Sequence, residues 1–339
     1  MEKKLLLKVK NLQISWLLDK ALIPIICGID FSLKAGKVLA FVGESGCGKS
    51  VSSLSLLRLL AKKLKIIGGE ILFYGQNGEE TLDMAKINPR GKDMQKIRGG
   101  MVSMIFQEPM SSFSPLYTIG YQIMEVIQLH KNTSREEAKK ITVELFKKVG
   151  IGDAKNAVNR YPYEFSGGMR QRAMIAKALS CNPLLLIADE PTTALDVTIQ
   201  NQILNLMYDV KQEFGTSIIF ITHDLGVVGQ IADEVAIMYM GKIIEQGTTR
   251  EIFKNPKHPY TIKLLEAVPR LGNLEARRRL ETIRGNVPGL FDRPTGCAFR
   301  PRCDYFMPGI CDTTFPDLRE VSKDHKVACY LYEYGESNK

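Results

Sequence analysis

No stretch of the 339-residue chain approaches the roughly 18 uninterrupted apolar residues that a membrane-crossing helix requires. Its most apolar runs, ALIPIIC, PLLLIA and VAIMYM, have the length of strands, so the chain is expected not to span a bilayer by itself. The start, MEKKLLLKVKNLQ, places only three consecutive leucines before charge returns, too few for the core of a secretory signal. The expected compartment is therefore the cytoplasm. There thiols stay reduced, so the seven cysteines are not expected to form a disulfide framework, and the sequon at Asn132 is a chance match. The sequence also has no heptad run and no long internal repeat. It has no flavin or dinucleotide loop either, and that argues against a redox enzyme centred on the cysteines.

What is present is a globular composition, 45% apolar and 24% charged, long enough for about two domains. Lys and Arg number 46 against 37 Asp and Glu, giving +9. That excess suits a polyanionic ligand, an acidic lipid surface or nucleic acid without choosing among them.

KVLAFV, residues 37–42, breaks into glycines and then into SVSSLSLLRLLAKKL, whose apolar spacing is helical. Strand, loop and helix frame GESGCGKS, which fits G-x-x-x-x-G-K-[ST]. In such a loop, backbone N–H groups from Gly43, Glu44, Ser45, Gly46, Cys47 and Gly48 curl around phosphate oxygens. Lys49 neutralises the β and γ phosphates, Ser50 ligates Mg²⁺, and the helix continuing through Val51 points its positive end at the anion. Cys47 fills a variable position and needs only its backbone.

Two further strand-like runs end in polar residues, LLLIAD at Asp189 and SIIFITH at His223; ligands of parallel α/β sheets collect at such carboxyl ends. Asp189 is placed to hold Mg²⁺ through water, and Glu190 to polarise the water that attacks a γ-phosphate. In FSGGMRQRAMIAKALS, Ser166 and two glycines open a helix whose free N–H groups make a second anion site. One Lys-bearing loop and one separate phosphate-binding helix start are two half-sites, which two chains facing head to tail would complete.

With these motifs on the page, residues 5–250 resemble the ATP-binding cassette (ABC) family, whose motifs occur here in family order. IFQEP supplies the Q-loop residue Gln107, TTALD the D-loop residue Asp196, and ITHDL the switch residue His223. Taken alone, Gln107 and His223 read as ordinary polar groups. The resemblance implies catalytic roles for Glu190, His223 and Gln107, with Gln107 approaching Mg²⁺ beside Ser50 and Asp189. It also implies that Ser166, Gly167, Gly168, Met169 and Asp196 act on ATP held by the opposite subunit. The signature reads FSGGM instead of the commoner LSGGQ, and Trp16 is the candidate to stack on adenine.

The implied fold is α/β: a P-loop NTPase core of ABC type with an antiparallel β subdomain, an inserted helical subdomain at about 108–180 and a small Cys-rich C-terminal extension. The boundaries expected are 1–250 for the nucleotide-binding domain and 251–339 for a separate extension. FQEPMSSFSPLYTIGYQI, NPKHPYT, RGNVPGL and the Cys-rich tail are similar to the ATPases of oligopeptide and dipeptide importers. That likeness implies ATP and Mg²⁺ as cofactors and a peripheral place on the cytoplasmic face of the membrane. The implied partners are a second ABC ATPase subunit of different sequence, two membrane-spanning permease subunits and an extracytoplasmic substrate-binding protein, with no nucleic acid. Nickel chelates or oligosaccharides are alternative cargoes, and a soluble ABC ATPase acting on ribosomes or DNA is the rival class.

The tail places Cys297, Cys303, Cys311 and Cys329 at C-x5-C-x7-C-x17-C. Spacing alone leaves zinc and an iron-sulfur cluster about level, with free thiols close behind and His325 as a spare ligand. The resemblance to peptide-importer ATPases favours a 4Fe-4S cluster on the four cysteines, with Zn²⁺ as the alternative.

Overall fold

A computed structural model of the chain describes residues 4–75, 81–108, 112–193, 195–268 and 283–334. The basic stretch EARRRLETIRGNVPGL, residues 275–290, lies outside them as far as residue 282. Two compact units result, one built from 1–7, 33–38 and 73–221, the other from 8–32, 39–72 and 222–339.

In the first unit, Val102–Ile105, Leu185–Asp189 and Ser217–Thr222 are parallel, with Ile105 opposite Ala188 and Asp189 opposite Ile221. All five residues of LLIAD are buried, as expected of a parallel strand covered on both faces. Helices Ile119–Lys131, Arg135–Lys148 and Gly167–Leu179 occupy the sequence between the first two of these strands. Arg135–Lys148 buries Ala138, Thr142, Leu145 and Phe146, one stripe at helical spacing. Ser134 caps its start by accepting from the N–H of Glu137 at 3.2 Å, and Gly150 adopts φ 73° just beyond its end, the left-handed turn that glycine takes without strain.

In the second unit, Val38–Val42 runs parallel to Glu234–Tyr239, which turns through Met240 and Gly241 into the antiparallel strand Lys242–Thr248. Ala21–Lys34, Leu5–Leu18 and Leu64–Tyr74 lie side by side in that order.

The C-terminal region is not a separate Cys-rich appendage. His325–Val327 pairs with Lys242–Thr248, placing Gly247 opposite His325, and Arg319–Ser322 pairs in turn with His325–Val327. Ala298 and Phe299 enter the same buried cluster as Val42, Ile237, Tyr239 and Tyr260. Ring centroids of Tyr239, Tyr260 and Phe299 lie 4.9–5.4 Å apart, within the range of favourable aromatic pairs. Residues after 250 thus complete a core begun by the strand Val38–Val42.

The expected metal site is corrected on the same ground. Among the described residues no group of three or more His, Cys, Asp or Glu side chains is arranged to hold a metal ion, so neither the iron-sulfur reading nor its zinc alternative stands. Cys297, Cys303, Cys311 and Cys329 do line one cavity, shared with Phe299, Pro316 and Leu331, but its volume is only ≈ 20 Å³, room for about one water. Burial, reinforced by the neighbouring thiols, pushes Cys297 up to about 11 and Cys329 up to about 12.

Candidate functional site

Gly43–Ser50 follows the buried strand VLAFV, residues Val38–Val42. A Cβ on Gly43 would sit 2.2 Å from the carbonyl oxygen of Met238, so only glycine fits where the loop leaves the strand. Gly48 precedes the helix Lys49–Leu56 at φ 106° and, as its N-cap, has no side chain with which to cap the first turn, the end of a helix at which anions are favoured. Lys49 is 6% exposed and donates to the carbonyls of Gly43 at 2.7 Å and Glu44 at 3.2 Å. Its ammonium is thereby held over the loop's own opening residues. Cys47 is buried, and burial raises its thiol pKa against the opposing effect of Lys49. The N–H of Gly241 donates to the carbonyl of Cys47 at 2.8 Å, tying the loop to the turn of the adjoining hairpin.

In the first unit, Asp189 ends its strand 4% exposed and the chain turns sharply at Glu190, whose φ is 46°. A left-handed backbone on a non-glycine residue costs on the order of 1–3 kcal/mol and is held only by its surroundings. Here the N–H of Glu190 donates to the carbonyl of Ile221 at 2.9 Å. Its Oε2 accepts from the Gln107 amide at 3.2 Å and from the Thr193 hydroxyl at 2.8 Å. The structure therefore brings Gln107 and Glu190 together, with a carboxylate whose direction is fixed by two neutral donors. Such a carboxylate can orient a water and take up its proton.

Ser166 caps Gly167–Leu179 by accepting from the N–H of Met169 at 3.3 Å, and both Ser166 and Gly167 are exposed. Gln171, 3% exposed, donates to the carbonyl of Pro191, so this helix is fastened to the residue following the Asp189–Glu190 pair. Asp196 caps Val197–Phe214 by accepting from the N–H of Ile199 at 2.9 Å. In the second unit His223 is exposed directly after the strand Ser217–Thr222. Trp16 is half-buried with its ring 6.5 Å from that of Phe291 at 48°, a tilted contact.

These motifs match known proteins as follows. Residues 26–193 match the family described as ABC transporter, and residues 244–311 match the family described as oligopeptide/dipeptide transporter, C-terminal region. A putative peptide import ATP-binding protein of Brucella melitensis is 48% identical over 338 residues, 98% of this chain and 99% of the relative. The chain belongs to the ABC transporter ATPases. The oligopeptide transport ATP-binding protein AppD of Bacillus subtilis is 48% identical to this ABC ATPase, covering 97% of each chain. OppD of Escherichia coli, another oligopeptide transport ATP-binding protein, is 46% identical and covers 96% of this chain and 93% of its own. Among solved structures, the post-hydrolysis dimer of the ATP-binding cassette MJ0796 bound to ADP and Pi matches with a TM-score of 0.63 at 25% identity, over 72% of this chain and 99% of that one. This ABC ATPase has no described helix long and apolar enough to cross a membrane.

Three residues of the ABC ATPase's candidate site carry no sign of it in the sequence. Thr193 is legible only afterwards, as the residue three beyond Glu190 in the tight turn. Tyr260 and Arg302 lie more than 200 residues after the phosphate loop, yet the Tyr260 hydroxyl accepts from the N–H of Glu44 at 2.9 Å and Arg302 pairs with the Glu44 carboxylate at 2.7 Å. No local spacing encodes such contacts; both residues reach Glu44 from the buried cluster that Tyr260 and Phe299 form with Tyr239.

Proposed function

We propose that this ABC ATPase powers peptide import, supplying ATP hydrolysis to membrane-spanning permease subunits on the cytoplasmic face of the membrane. The observation that carries this reading is the match of residues 244–311 to the oligopeptide/dipeptide transporter C-terminal region, joined to near full-length likeness to proteins named for peptide or oligopeptide import. Residues 1–250 are read as the nucleotide-binding domain, with a helical subdomain at about 108–180, and 251–339 as the importer-type C-terminal region.

In this reading the loop Gly43–Ser50 and the helix through Val51 cradle the phosphates of ATP, and Lys49 offsets their charge. Trp16 packs against the adenine. Mg²⁺, when bound through Ser50, Asp189 and Gln107, supplies further neutralisation of phosphate charge. Glu190 orients the attacking water and accepts its proton, while His223 contacts the γ-phosphate. Ser166, Gly167, Gly168, Met169 and Asp196 serve ATP held by a partner cassette, which in this reading is a different chain. ATP binding closes the two cassettes and hydrolysis lets them reopen, the cycle that drives the permease. An extracytoplasmic binding protein delivers the peptide.

Co-expression with candidate permease and binding-protein subunits tests this. Co-purification with two membrane subunits and ATP-dependent uptake of labelled oligopeptides into vesicles are expected. Failure to associate with any permease, together with ATPase stimulated by ribosomes or DNA, would overturn it.

A further inference from the structure

Glu44 is the second residue of the phosphate loop, at a position the motif leaves open, yet every polar group it has is held. Its N–H donates to the Tyr260 hydroxyl at 2.9 Å, its carbonyl accepts from Lys49 at 3.2 Å, and its carboxylate takes two hydrogen bonds from Arg302, at 2.7 and 3.0 Å. Two of these three holders lie after residue 250.

Arg302 is itself held at each of its three nitrogens. It ends the short 3-10 turn Arg300–Arg302, in which Pro301 fixes the backbone. Its Nε donates to the carbonyl of Arg284 at 3.0 Å and its Nη1 also reaches the Tyr239 hydroxyl at 3.4 Å. Its guanidinium lies 5.9 Å from the ring centroids of both Tyr239 and Phe299, within cation–π range. The Arg302 side chain is 4% exposed and that of Glu44 29%. A bidentate pair this buried has one geometry and little screening, unlike a surface ion pair. The carboxylate also needs a counter-charge on electrostatic grounds. Standing next to Gly43 in a loop that receives phosphates, an unpaired Glu44 would repel them.

We propose that Arg302, with Tyr260, is a positioning residue for nucleotide: by fixing and neutralising Glu44 it sets the entry of the phosphate loop, so that the C-terminal region forms part of the nucleotide site. Arg302 touches no reacting atom and acts through Glu44. The proposal rests on Gly43–Ser50 being the nucleotide loop, a reading that Lys49→Ala tests separately: if that variant binds Mg·ADP like wild type, the loop assignment itself fails.

The experiment is calorimetric titration of the purified full-length chain with Mg·ADP, reading affinity and stoichiometry independently. Arg302→Met is expected to raise Kd about tenfold at unchanged stoichiometry, the scale of one lost charge-assisted hydrogen bond. Arg302→Lys should recover part of the loss by restoring the charge. The double variant Arg302→Met, Glu44→Gln should bind no more weakly than Arg302→Met alone, since both changes remove one interaction. Asp304→Asn, which removes the neighbouring charge pair with Lys263, should bind as wild type. A merely structural role gives the opposite pattern, a stoichiometry below one with unchanged Kd, and that result overturns the proposal. If Arg302→Met does not fold, Glu44→Gln decides: a Kd raised at least about threefold supports positioning, and wild-type affinity overturns it.

Discussion

The side-chain amide of Gln107 donates to Oε2 of Glu190 across 83 residues of sequence at 3.2 Å, and the same oxygen accepts from the Thr193 hydroxyl. The acidic residue that follows the buried strand is therefore aimed by partners from the Q-loop and from its own turn.

Loosening that aim should slow hydrolysis without abolishing nucleotide binding. Gln107→Ala and Thr193→Val are each expected to lower turnover about tenfold, on the order of one positioning hydrogen bond, while ATP affinity stays within about threefold of wild type. Phosphate release and equilibrium nucleotide binding measure the two quantities. A parallel loss of affinity would mean that these residues hold ATP and do not orient Glu190.

Lys49 is buried and held by the carbonyls of Gly43 and Glu44. Lys49→Ala removes the loop's fixed cation, so affinity for ATP and ADP should fall at least about tenfold, with the larger loss for ATP because it carries more phosphate charge. Competition with a fluorescent nucleotide reads both affinities.

The buried polar cluster behind Tyr260 should make stability depend on pH. His258 is 1% exposed, and burial holds its imidazole down to about 4 against the raising influence of Glu245. Its Nδ1 accepts from the N–H of Tyr260 at 3.1 Å, so the neutral ring is the one that fits. In the unfolded chain the ring protonates near pH 6.5. Between about pH 6.5 and 4 the unfolded state therefore binds more protons than the native state, and stability falls as pH falls. The contribution is complete above that window and amounts to about 3 kcal/mol at most. Thermal melts at pH 7.5 and pH 5 should show a drop in Tm that is smaller in His258→Asn.

Glu245 is fully buried, accepts from the backbone N–H groups of Lys257 and His258 at 2.7 and 2.8 Å, and pairs with His325 at 2.7 Å. Glu245→Ala removes the acceptor from these buried partners, and the expected loss is about 3 kcal/mol, on the scale of a broken buried pair. Urea unfolding followed by circular dichroism should show a lower midpoint.

What could be read in advance and what could not divides by distance along the chain. The phosphate loop, the strand that ends at Asp189 just before Glu190, and the Ser166 helix start are local patterns in which a few neighbouring residues suffice to state the geometry. The partnership of Gln107 with Glu190 depends on which strands lie side by side. Arg302 on Glu44 and His325 on Glu245 depend on how the tail folds back, which no periodicity encodes. The cysteine spacing has the same limit: it is compatible with a ligand set, but it does not encode how the four thiols are placed in the cavity they share with Phe299 and Pro316.

The central claim is that this chain is an ATPase in which Glu190 performs the hydrolytic step. Phosphate release at saturating Mg·ATP, compared between wild type and Glu190→Gln in cassettes assembled with their partner, tests it most directly. The account predicts that the variant binds ATP as tightly as wild type, accumulates as the closed pair, and turns over at least about a hundredfold more slowly. Near-normal hydrolysis by Glu190→Gln would contradict it.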